Sequence, residues 1–156
     1  MNDLNSIIEN AWKYTGDPEK LIRTFQEVFD DYRENPIYFF EYANALDFLG
    51  KEAEAIPLYQ QALSLGISGK LKVQTEIQLG SSLSVTGDNE SAISTLDRVQ
   101  KETEDPAALI FLCIALFRSG EIRKSLRTAL GFILSGNQGL LPEYNRALMQ
   151  YLEEIH

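Results

Sequence analysis

Four glycines stand at positions 16, 50, 87 and 120, spaced by 34, 37 and 33 residues, and the residues around them recur. Eight before each glycine come Ile8, Tyr42, Leu79 and Leu112, and four before come Trp12, Leu46, Leu83 and Leu116. Seven before come Glu9, Ala43, Gly80 and Cys113, three of them small. Five after come Leu21, Ala55, Ala92 and Ser125; nine after, Phe25, Tyr59, Leu96 and Ala129; twelve after, Val28, Ala62, Val99 and Phe132. Positions at i, i+4 and i+7 share one face of a helix. Each glycine therefore separates two amphipathic helices. Such a hairpin cannot cover its own apolar face, so consecutive units have to stack on one another.

The stretch NPIYFFEYANALDFLGKEAEAIPLYQQALSLG, 35–66, shows the unit most fully. Asn35 is placed to cap the first helix, and Pro36 suits a first turn whose N–H would be unpaired anyway. Ala43, Ala55 and Ala62 let two backbones approach, while Tyr42, Leu46 and Tyr59 fill the space beside them. In the first unit the glycine is followed by DPEKL, in which Asp17 caps and Pro18 starts the next helix.

This pattern resembles the tetratricopeptide repeat, a helix-turn-helix of about 34 residues. The matching units are 2–34, 36–67, 73–104 and 106–134. The first is the weakest, with Glu9 at a small position and Leu21 replacing alanine. The run EAEAIPLYQQALSLG followed by QLGSSL also resembles small bacterial proteins made only of such repeats, which are mostly assigned as interaction modules. The resemblance implies an all-α, right-handed solenoid of four helix pairs, forming one domain over 1–156.

Two connections and an end element complete the expected layout. GISGKLK, 66–72, reads as a longer loop or an extra half-turn on the following helix, with Gly66 and Gly69 marking a kink in the stack. SGNQG, 135–139, is the other connection. Pro142 then begins a helix to residue 155 with Leu141, Tyr144, Leu148, Tyr151 and Ile155 in one stripe, suited to cap the last pair. Four pairs and a cap make nine helices.

Chemistry is harder to place. The only histidine, His156, is the final residue, and the only cysteine, Cys113, falls at a small packing position where a buried thiol is expected. No Cys/His cluster has zinc spacing, and no glycine run has the form of a phosphate loop. The acidic residues gather near helix ends, where a solvated rim is expected rather than an acid–base pair. The reading is of no enzyme, no metal and no cofactor. A net charge of −9 opposes nucleic-acid binding. No window is apolar for long enough to span a membrane, and no secretory signal opens the chain. The single thiol fits a reducing compartment, which gives a cytoplasmic expectation.

The resemblance also implies that the first helix of each pair lines a concave groove. Ten, six and three residues before each glycine stand Ser6, Asn10 and Lys13; Phe40, Asn44 and Asp47; Ile77, Ser81 and Ser84; Ile110, Ile114 and Phe117. Some family members grip acidic C-termini with groove cations, but Ser6, Gln74 and Gln78 occupy those places here, so that ligand is rejected. Five of the nine positions in units two to four are apolar, which points to a partner protein or peptide with an apolar or amphipathic segment. The candidate protein-binding set is Asn10, Phe40, Asn44, Asp47, Ile77, Ser81, Ile110, Ile114, Phe117 and Arg118. The alternatives are a homodimer joined through the groove or the end helix, and a peptide-sensing regulatory module. Trp12 is expected in the core between the helices of its own pair. Pro57, inside a second helix, breaks local helix rules and is read as an accommodated kink.

Overall fold

The computed structural model describes residues 3–136 and residue 153. Among the described residues the secondary structure is helical throughout, in nine α-helices. They are α1 (Leu4–Ala11), α2 (Pro18–Gln26), α3 (Phe29–Tyr32), α4 (Pro36–Phe48), α5 (Glu52–Ser64), α6 (Gly69–Thr86), α7 (Asn89–Thr103), α8 (Pro106–Arg118) and α9 (Ile122–Gly136). They are not the nine expected. Of the helix predicted over 142–155 only residue 153 is described, and α3 is an addition.

The helix starts are built as the sequence implies. The Asn35 side chain accepts from the N–H of Ile37 at 2.9 Å and of Tyr38 at 3.4 Å. Asp17, Asp88 and Asp105 cap α2, α7 and α8 by accepting from Lys20, Ser91 and Ala107. Each cap satisfies a donor that the first turn leaves unpaired. Between the helices of the last three pairs, Gly50, Gly87 and Gly120 have φ of 71°, 93° and 86°, in the left-handed region that a Cβ disfavours. Gly16 does not. There α1 runs out through a 3-10 turn, Trp12–Tyr14, and Asp17 N–H donates to the carbonyl of Tyr14 at 2.9 Å.

The first unit departs again at α2. Its expected continuation stops at Gln26 because the Phe25 carbonyl is taken by Val28 N–H at 3.2 Å and by the Tyr38 hydroxyl at 3.0 Å. The chain restarts as α3 inside an aromatic cluster. Phe25 stacks on Tyr42 at 5.3 Å and 9°, while Tyr38 meets Phe39 edge-on at 5.2 Å. The longer connection after Gly66 appears as an added turn on α6, which begins at Gly69 and runs for 18 residues.

Consecutive helices pack in order from α4 to α9, and α4 also meets α6 while α6 meets α8. No comparable contact joins α5 to α7 or α7 to α9 among the described residues. The first helices of the pairs are therefore drawn together and the second helices fan outward, which makes α4, α6 and α8 the inner wall of a curved stack. The core between the layers is close-packed. Ala43, Ala55, Ala62, Ala92, Ala108 and Ala115 are fully buried, as are Tyr38, Tyr59, Leu96 and Val99. Gly80 lets α6 and α7 approach so closely that a Cβ there would lie 2.6 Å from Leu96 Cγ. α5 passes through Pro57 as one helix, and both Pro57 and Ala53, whose carbonyl loses its donor, face outward. No described helix is long and apolar enough to cross a membrane.

Candidate functional site

An open cleft of about 790 Å³ runs along the inner wall. Trp12, Phe40, Phe48, Leu71, Ile77, Ala107 and Phe111 supply its apolar lining, and Glu41, Asn44, Asp47, Gln74, Gln78 and Asp105 its polar lining. Of the candidate set, Phe40, Asn44, Asp47 and Ile77 are here. Phe40 and Ile77 are only 5% and 6% exposed, so they form the floor rather than project as anchors. Phe40 leans on the Tyr59 ring at 6.4 Å.

The remaining candidates do not line this cleft. Asn10 borders a separate, polar recess of about 350 Å³ with Tyr14, Lys20 and Arg23. Ser81 is half-buried on α6. The Arg118 guanidinium lies 3.4 Å from the Ser84 hydroxyl, tying α8 to α6. Ile110, Ile114 and Phe117 form an i, i+4, i+7 stripe on α8, exposed by 55%, 37% and 61%. Four of the ten candidates therefore line the cleft, three form an apolar stripe outside it, and Asn10, Ser81 and Arg118 belong to neither.

The cleft residues that the spacing did not single out follow registers of their own. Nine residues before the turn glycines stand Glu41, Gln78 and Phe111, and thirteen before stand Gln74 and Ala107. Trp12 corrects a further expectation. It packs on the core in part, but its indole N–H donates across to Glu41 Oε2 at 3.1 Å, and its ring meets Phe48 edge-on at 5.8 Å. Carried in the 3-10 turn after α1, it also joins the first unit to α4.

The polar groups of the floor form a short network. The Tyr59 hydroxyl lies 2.9 Å from the Asn44 amide oxygen and 3.1 Å from Asp47 Oδ2, and the Ser82 hydroxyl, whose one proton is shared between the Gln78 carbonyl at 3.0 Å and Asp47 Oδ1 at 3.2 Å, joins them. Tyr59 has one proton, and an ionised Asp47 can only accept. Tyr59 therefore donates to Asp47, and Asn44, with its amide turned over, donates to Tyr59. Burial raises the Asp47 carboxyl above its ordinary value, against the lowering effect of the two hydroxyls. Burial also raises Tyr59, helped by the nearby Asp47 charge, so its proton stays in place. This arrangement fixes a surface and has no activated nucleophile. Cys113 is half-buried rather than enclosed, and burial raises its thiol. Among the described residues no three His, Cys, Asp or Glu side chains gather to hold a metal ion.

The sequence profile described as tetratrico peptide repeat matches residues 36–155. Two crystal structures of nearly identical repeats of that type, from a candidate kinesin light chain of Podosopora anserina, superpose with a TM-score of 0.75 each. Both are 16% identical in sequence and cover 97% of this chain; the alignments cover 93% and 94% of theirs. At that identity the likeness is one of fold. Among curated proteins no sequence matches this chain.

Proposed function

The chain belongs to the tetratricopeptide repeat family, and from that premise we propose a non-catalytic, cytoplasmic interaction scaffold that takes a segment of a partner protein into the cleft along α4, α6 and α8. One observation carries the reading: a concave, water-open site with a buried aromatic floor and a rim of aromatic and amide side chains. Phe48, 58% exposed at the rim, can bury most of its ring against a guest, and such rings are the usual carriers of binding energy. Asn44, Gln74 and Gln78 supply donors and acceptors that fix a guest backbone in one orientation. The whole chain would work as one repeat domain, the units following the boundaries read from the sequence.

Native affinity capture with the wild type and with Phe48→Ser/Phe111→Ser tests this. The expected result is a stoichiometric protein recovered by the wild type and lost from the variant, with helicity unchanged. Equal recovery by both forms would remove the cleft from the reading. A second reading, a homodimer, is favoured by the exposed stripe Ile110, Ile114 and Phe117. Light scattering of Ile114→Ser/Phe117→Ser separates the two, because a dimer through that stripe becomes a monomer while partner capture in the cleft is untouched.

A further inference from the structure

Three carboxylates line the cleft, Glu41 from the middle of α4, Asp47 near its end and Asp105 at the start of α8, and no lysine or arginine among the described residues lines it. Each already has hydrogen-bond donors, all of them uncharged among the described residues. Glu41 accepts from the Trp12 indole at 3.1 Å, Asp47 from the Tyr59 and Ser82 hydroxyls, and Asp105 from the Ala107 backbone at 2.8 Å. The α8 N-terminus offsets part of the Asp105 charge. None of the ion pairs among the described residues includes any of the three; those pairs lie elsewhere, as Lys51–Glu54, Glu76–Arg98–Glu102, Asp97–Lys101 and Glu121–Lys124. An ionised carboxylate has about four acceptor sites, so each of the three retains capacity for a cationic donor.

The same walls are strongly apolar. Trp12 and Phe48 meet edge-on at one end, Leu71 and Phe111 stand along the rim, and Phe40 and Ile77 close the floor. A volume of about 790 Å³ accommodates a few side chains of a guest at a time. Apolar surface and carboxylates without an ion-pair partner among the described residues thus occur in one concavity, on a chain whose formal charge is already −9. A guest matching both must carry apolar and cationic side chains together.

We infer that the cleft accepts a basic, amphipathic peptide segment of a partner protein, with apolar side chains on Phe40, Phe48, Ile77 and Phe111 and a lysine or arginine directed to Glu41 and Asp105. The inference rests on the scaffold reading above and specifies its guest. It excludes acidic tails by charge: a carboxylate entering this cleft would meet three of its own sign with no cation among the described lining residues to offset them.

Trp12 is the only tryptophan of the chain and stands in the cleft wall, so its fluorescence reports occupancy directly. Three synthetic peptides of equal length are titrated into the full chain: lysine alternating with leucine and phenylalanine, the same with glutamate for lysine, and lysine alternating with glycine and serine. The expected result is saturable quenching or a shift by the first peptide alone. Its affinity should weaken by about tenfold or more as salt shortens the Debye length from about 30 Å to about 8 Å. Glu41→Gln/Asp105→Asn keeps the Trp12 acceptor and the helix cap, because Gln and Asn side chains still accept. It should bind the first peptide about tenfold more weakly with an unchanged melting curve. Glu34→Gln/Glu90→Gln, which removes the same charge from exposed sites, should bind as the wild type does. Equal or tighter binding of the glutamate peptide, or equal weakening by both variant pairs, overturns the inference while leaving a cleft that binds. If no peptide perturbs Trp12, the scaffold reading of this cleft falls with it.

Discussion

Adding one methyl group at Gly80 sets two well-known effects against each other. Within a helix, alanine is favoured over glycine by about 1 kcal/mol, from backbone entropy. At Gly80 in α6, however, the new Cβ would lie 2.6 Å from Leu96 Cγ, 2.9 Å from Cδ2 and 3.1 Å from Cδ1. Carbon pairs rest at about 3.5–4.0 Å, so the helices must separate or Leu96 must move by about 1 Å. Rotating Leu96 about χ2 moves its methyls but not its Cγ, and a χ1 change that moves Cγ needs room that a fully buried side chain lacks. Overpacking of that kind costs about 1–3 kcal/mol. The net expectation for Gly80→Ala is a loss of about 0–2 kcal/mol, or a few degrees in Tm for a chain of this length. Gly131 in α9 is the control, since a Cβ there meets nothing within 4 Å among the described residues; Gly131→Ala should gain about 1 kcal/mol. Leu96→Ala alone should lose about 2–5 kcal/mol through its cavity, and Gly80→Ala placed on that background should become stabilising. Urea melts of the four variants and the wild type measure the cycle. Equal stabilisation by Gly80→Ala and Gly131→Ala would refute the close α6–α7 contact.

Three further outcomes follow from the packing and the floor network. Ala43→Arg should abolish cooperative unfolding, because a charged side chain would enter a fully buried contact at a cost of several kcal/mol; a melting midpoint within a degree or so of wild type would contradict it. Pro57→Ala should stabilise, by up to about 3 kcal/mol, since it restores a donor inside α5 on a face open to water; differential scanning calorimetry reads the change. For Asp47, burial raises the folded carboxyl above its ordinary 3.8, so the folded chain binds the proton more tightly than the unfolded chain. Its contribution to stability is therefore greatest at low pH and falls as pH rises from about 3.8 through the folded value, then levels. The stability difference between wild type and Asp47→Asn, measured by urea melts across the acidic range, should decline with pH and then become flat; a rise over that range would reverse the sign argued here.

Local chemistry was legible wherever it depends on neighbours in the sequence. Asn35–Pro36 and Asp17–Pro18 start helices because the cap and its donors lie within three residues, and Gly50, Gly87 and Gly120 are left-handed because two helices must reverse there. Gly16 differs because the 3-10 turn makes the reversal another way. The end of α2 at Gln26 was not legible, since it depends on a hydroxyl from Tyr38, thirteen residues away. The cleft was half legible. Phe40 and Ile77 share an offset that turned out to face inward, yet the same offset places Ile110 outside the cleft. Curvature decides which of several adjacent registers looks into the groove, and curvature arises from packing between units rather than from the pattern within one. Trp12 illustrates the same limit, because its partners Glu41 and Phe48 belong to the next unit.

Among the described residues the inner helices meet one another, α4 with α6 and α6 with α8, with no comparable contact between α5 and α7 or between α7 and α9. Mechanically the stack is a leaf spring clamped along its concave edge. Spreading the cleft means parting α4 from α6 and α6 from α8, whereas closing it leaves those inner contacts in place and loads the α5–α6 and α7–α8 contacts. Opening and closing the cleft therefore load different sets of contacts between the pairs. No single hinge is required, because each junction between pairs supplies a fraction of the deflection.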